Sequence, residues 1–143
     1  MKRLAGLLLA AVACAAVAGP AGVTIVDPAS LSWRSEPAAP GAAVAVVSGD
    51  PKAAGPYVIR ARFTQGARSA PHRHPDTRTI TVLQGRYFFA TGTRFDEAAL
   101  RGYGPGTLLR VPGDTPHFSA APEGEVIVQE SGDGPTALER VAP

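Results

Sequence analysis

Hydrophobic positions along this chain come in short runs of β-forming composition, parted by glycine and proline. The runs are Ala43 to Ser48, Tyr57 to Thr64, Thr79 to Leu83, Arg86 to Thr91, Thr107 to Val111, Phe118 to Ala120 and Val126 to Gln129. Breakers stand between them, among them Gly49-Asp50-Pro51, Gly85, Gly104-Pro105-Gly106 and Pro112-Gly113-Asp114. After residue 18 no stretch keeps a helical period for more than two turns, although Phe95 to Leu100 has room for one turn. Many short strands with regular turn signals predict an all-β sandwich or barrel.

The first 18 residues follow a different pattern. Lys2 and Arg3 precede a run of Leu, Ala and Val from Leu4 to Val17, and Ala16-Val17-Ala18 supplies a small-x-small cleavage pattern. Residues 1–18 therefore read as a signal peptide, with the mature chain starting at Gly19 and exported to a periplasmic or secreted location. The apolar run is short for a membrane span, which needs about 20 residues. Cys14, the one cysteine, lies inside this leader in a poor lipoprotein context, so the mature chain has no disulfide and must rest on its core and any metal. Residues 19–42 are rich in Pro, Ala and Gly, with Trp33 as one large anchor, and read as an extended arm or an edge segment. Residues 43–143 form the β domain.

Charge changes the picture little. The formal net charge of +2 is carried by Lys2 and Arg3, and the rest of the chain balances. Nothing points to a nucleic-acid partner, or to a membrane once the leader is removed.

Candidate chemistry rests on three histidines, all that the chain has. His72 and His74 stand at i and i+2, so on an extended segment they share a face. His117 follows inside Pro112-Gly113-Asp114-Thr115-Pro116-His117 and, on a neighbouring strand, closes a three-nitrogen site. Neutral imidazole suits zinc, copper, iron and nickel. A Gly-x-Ser-x-Gly elbow, a phosphate-binding glycine loop and a catalytic cysteine are missing from the sequence, which disfavours those hydrolase mechanisms.

The spacing around these histidines resembles the cupin superfamily. Gly66, His72-x-His74 and Gly85 match the first cupin motif, and Gly106, Pro112 and His117 match the second. The likeness covers roughly residues 43 to 135 and is similar in wording to small exported single-domain cupins. It implies an RmlC-like jelly roll, a double-stranded β-helix, with a divalent metal in the barrel mouth: zinc, copper, iron, manganese or nickel.

Two departures bear on that site. Arg78 stands where the family's first motif usually has a glutamate ligand, and a guanidinium does not bind a cation. Asp114 stands where the second motif usually has glycine, and Ala121 where it has asparagine. Three outcomes remain open. The histidines hold a metal unaided, with Arg78 beside it gripping an anionic substrate; Asp76 supplies a fourth, oxygen ligand with Arg78 bridging to it; or no metal binds and the mouth is a small-molecule pocket. A structural salt bridge from Arg78 to Asp76 or Glu130 is as good a reading of that residue as a substrate contact.

Further pocket candidates are Gln129, at the end of the Val126 to Val128 run, and Tyr87 and Phe89, which alternate with Phe88. The function expected is a metal-dependent, dioxygenase-like enzyme on a small anionic organic substrate. The alternative is a non-catalytic binding or sensor module for a small anion or sugar, with or without metal. A homodimer is left open.

Overall fold

The computed structural model describes residues 17, 18 and 22–142. The leader expected over residues 1–18 lies, but for its last two residues, outside the described residues. Among the described residues there are thirteen strands: β1 (Val17–Ala18), β2 (Thr24–Ile25), β3 (Arg34–Ser35), β4 (Ala42–Ser48), β5 (Gly55–Phe63), β6 (Arg68–Arg73), β7 (Arg78–Gln84), β8 (Tyr87–Thr91), β9 (Arg101–Tyr103), β10 (Leu108–Val111), β11 (His117–Ala120), β12 (Val126–Gly134) and β13 (Glu139–Arg140). The expected helical turn is a short 3-10 turn at Glu97–Ala99.

Two antiparallel sheets make the body. One runs β10-β7-β12-β5-β4-β3 and the other β13-β6-β11-β8-β9. Apart from β3-β4, β4-β5 and β8-β9, neighbours in these orders are distant in sequence, as a jelly roll requires. One core joins the sheets: Phe63, Ile80, Val82, Val126 and Val128 come from the first and Tyr87 and Phe89 from the second. Strand alternation sets this. In β5, Tyr57, Ile59, Ala61 and Phe63 are buried while Val58, Arg60 and Arg62 are partly exposed. Arg62 stacks over the ring of Trp33, its guanidinium carbon 4.6 Å from the ring centroid, which ties the N-terminal arm to the outer face. The arm then supplies β3 as the sheet's edge strand, in line with the edge-segment reading.

Two backbone details shape turns at the two ends of the barrel, the first beside the histidines. Asp114 takes a positive φ of 61° and its N–H donates to the His74 carbonyl at 2.7 Å. Asp is among the few side chains that adopt this conformation readily, which is why it replaces the motif's glycine without breaking the turn. Gly85 has φ of 74°, and a Cβ there would run into the Glu125 carbonyl. Only glycine fits both constraints.

A candidate metal centre in the barrel mouth

The histidine side chains converge because of one irregularity. β11 pairs with β6 as His117↔His72 and Ser119↔Ser69, so two steps along β11 match three along β6. The extra residue is a β-bulge at Ala70-Pro71, where proline's missing N–H does no harm. The bulge restores Ser69 and His72 to one buried face. His74, two residues beyond His72, points the same way. One ring nitrogen from each of His72, His74 and His117 lies within 4.8 Å of the others, and all three residues are buried.

Each ring is held by a backbone carbonyl. Nδ1 of His72 donates to Ala70 O at 2.8 Å, that of His74 to Ala137 O at 2.7 Å and that of His117 to Thr115 O at 2.8 Å. A carbonyl can only accept, so Nδ1 carries the proton and Nε2 of the neutral ring keeps its lone pair. Burial lowers all three pKa values: His74 to about 3, where the Arg78 charge adds to burial, His117 to about 4, where His72 adds, and His72 also below its ordinary value. Three neutral, oriented donors near neutral pH are the chemistry a divalent transition metal needs, and carbonyl acceptors on the far nitrogen are how such ligands are usually held. Phe89 stacks on His117, with ring centroids 5.3 Å apart and planes 29° apart, and braces that ring from behind.

Arg78 spends both terminal nitrogens on protein partners, and its buried Nε has no hydrogen-bond partner. The residue is buried, and Nη1 donates to Glu130 Oε2 at 2.6 Å while Nη2 reaches Thr136 Oγ1 at 2.8 Å and Asp76 Oδ1 at 3.5 Å. Burial opposes its charge, but Glu130, Tyr57 and Asp76 together push its pKa up. Its role is the structural salt bridge, to both acids at once.

Asp76 is likewise committed. One carboxylate oxygen accepts the Tyr57 hydroxyl at 2.5 Å, and the other accepts a very short bond from Thr136 and the long one from Arg78. Although burial works against the charge, these bonds and the Arg78 charge hold its pKa below the usual carboxylate value. Burial, with the Asp76 bond next, pushes Tyr57 up to about 12. The reading of Asp76 as a fourth metal ligand is corrected accordingly: it stands outside the histidine cluster with both oxygens taken.

Gln129 is corrected too. Val126, Val128 and Glu130 are the buried positions of β12, so Gln129 falls on the opposite face, where it accepts from Arg60 Nε at 3.2 Å. The parity signal was present in the sequence, since Val126 and Val128 fix the inner face and carry Glu130 inward. Glu130 is the pocket residue that sequence reasoning passed over.

The histidines open into a cavity of about 610 Å³, with Tyr87, Arg78 and Glu130 also in its lining. Phe89 supports His117 from outside that lining. The six-stranded sheet faces the histidines with Ala42, Val44, Ile59, Ala61, Phe63 and Ile80. Arg34 and Lys52 reach its exposed rim. Among the described residues no helix is long and apolar enough to cross a membrane.

Comparison with solved structures decides the fold. The chain is similar to the polyketide cyclase RemF from Streptomyces resistomycificus, with a TM-score of 0.71 and 17% identity over 85% of this chain and 87% of that one. It is similar to a cupin-like protein from Thermotoga maritima, with a TM-score of 0.61 and 23% identity over 78% and 86%. It is similar to KdgF from Halomonas sp., with a TM-score of 0.58 and 23% identity over 71% and 86%. This chain has the cupin fold. No protein-family model matches it and no curated protein matches it. In this cupin domain the motif histidines sit together as the family's spacing implied, while the glutamate position of the first motif has become part of a buried ion network.

Proposed function

We propose that this cupin is an exported metal-dependent enzyme acting on a small organic molecule that presents an ionisable oxygen, by an oxygenase-type reaction with dioxygen as co-substrate. The observation that supports it is the set of three buried histidines whose Nδ1 atoms are all bonded to carbonyls, leaving three Nε2 donors directed at one place. A divalent ion held there would supply a Lewis acid with coordination positions open for substrate. The protein's own groups do the rest. Burial keeps the histidines unprotonated, Phe89 fixes His117, and the apolar wall excludes water. Glu130 stands in the same cavity with Arg78 holding one of its oxygens, so it is placed to take or return a proton on the substrate. An ion held by the three histidines would supply the positive charge for an anionic substrate, since the terminal nitrogens of Arg78 are engaged by Glu130, Asp76 and Thr136.

A reaction without an oxidant is the second reading. It is favoured by the similarity to RemF, a polyketide cyclase, and fold analogy is a weak guide to reaction. Non-catalytic binding of a small anion or sugar uses the same cavity with no turnover.

Oxygen uptake by metal-reconstituted protein, screened against phenols, enols and carboxylic acids, tests the reading. Uptake that depends on both metal and organic compound is expected. Turnover of a compound without oxygen consumption would replace the oxygenase by the second reading. Export is tested separately, by the N-terminal residue of protein recovered from the native host: Gly19 is expected, and Met1 would overturn it.

A further inference from the structure

We infer that the ligand of this cavity is a ring-sized, mainly apolar molecule carrying a phenol- or enol-type oxygen, with that oxygen at the histidines and its body against the six-stranded sheet. The metal end of this inference rests on the function proposed above; the apolar end rests on the cavity wall alone.

Among the buried lining residues the charged and ligating groups gather at one end. The histidines, Arg78 and Glu130 lie there, the facing wall is Ala42, Val44, Ile59, Ala61, Phe63 and Ile80, and the further charged groups, Arg34, Glu36, Asp50 and Lys52, are exposed or half-buried. Other buried polar side chains beside the histidines are occupied. Ser69 and Ser119 bond each other at 2.8 Å, the Ser119 N–H also donates to Ser69 Oγ at 2.9 Å, and Thr136 serves Arg78 and Asp76. A sugar or a dicarboxylate seated against that wall would leave the oxygens facing it without partners, each a substantial cost once water is lost. An apolar body would not. The terminal nitrogens of Arg78 are held by Glu130, Asp76 and Thr136, and its remaining nitrogen, Nε, is buried.

Size follows from the wall's small side chains. Ala42 and Ala61 are buried, on adjacent strands, and line the space that larger residues would fill. A volume of about 610 Å³ is that of a pocket for an organic molecule rather than for a lone anion.

The probe is 1-naphthol, compared with glucuronate and oxalate, each titrated into zinc-loaded full-length mature chain by calorimetry. Saturable binding of 1-naphthol is expected, with the two acids weaker. Ala61→Phe should weaken 1-naphthol about tenfold or more by filling the wall, with zinc content unchanged. Ala42→Leu serves the same purpose if Ala61→Phe does not fold. Tighter binding of either acid, or 1-naphthol binding indifferent to a folded, filled variant, overturns the inference. The two failures separate cleanly. Zinc retained without 1-naphthol binding sinks this inference alone, and 1-naphthol binding without any zinc uptake sinks the metal reading alone.

Discussion

Arg78 and Glu130 form a buried ion pair, 2.6 Å apart, with Arg78 standing where the cupin motif usually has a glutamate. The swap does not leave a stray charge. Asp76 joins from the other side, and Thr136 and Tyr57 complete the bonding of the two acids' neighbourhood.

Removing the cation should therefore unfold more than it unbinds. Arg78→Leu strands two buried carboxylates, and breaking a buried pair in this way costs about 3–5 kcal/mol. Urea denaturation should show that loss. Arg78→Glu should be worse, because three acids then crowd one site, and it should not tighten metal binding. A stable Arg78→Leu variant would show that the network is not structural.

Gly132 makes room for the same network. A Cβ there would lie 2.5 Å from Asp76 Oδ2 and 2.8 Å from the Tyr57 hydroxyl oxygen. Gly132→Ala should cost about 1–3 kcal/mol by overpacking. Thermal or urea unfolding checks this, and a neutral result would mean that Asp76 and Tyr57 move aside freely.

Gln129 and Glu130 should behave as opposites despite being neighbours. Gln129→Ala touches only the outer face and should shift stability by no more than about 0.5 kcal/mol. Glu130→Gln should weaken the hold on Arg78 and alter the cavity. Parallel denaturation curves of the two variants test the parity, and a larger effect at Gln129 would reverse it.

Acid sensitivity follows from the histidines. Their folded pKa values lie below the unfolded value, His74 at about 3 and His117 at about 4. The unfolded chain therefore binds more protons as pH falls below ~6.5, and the metal-free fold should lose stability steadily from there down to the folded values. Stability should be level above that window as far as these groups are concerned. The denaturation midpoint of metal-free protein across pH 7.5 to 4.5, intervals chosen around ~6.5, measures the slope. A flat profile below ~6.5 would mean that the rings are not buried as neutral donors.

Much of this was legible in the chain, and the reasons are particular. The strands from Tyr57, Thr79 and Thr107 announced themselves through β composition between strong breakers, and each is observed within two residues of its expected start. The i, i+2 spacing of His72 and His74 gave a shared face. β6 itself was hidden, because Arg68 to Arg73 has little apolar content and contains Pro71, and its bulge shows only in the pairing with β11. The carbonyl of Ala137, which orients His74, comes from a tail with no motif. Arg78 was left between substrate contact and salt bridge, since sequence cannot say that Glu130, 52 positions later, lies opposite it.

The account's central claim is that His72, His74 and His117 hold one divalent metal ion together. Cobalt(II) titrated into metal-free protein tests it most directly, read by visible absorption and by elemental analysis of the dialysed product. One equivalent per chain is predicted for the parent protein, with retention falling at least about tenfold in each of His72→Ala, His74→Ala and His117→Ala, since lost ligands cost that order of affinity. Retention by the single variants equal to that of the parent, or no retention by a folded parent protein, would contradict it.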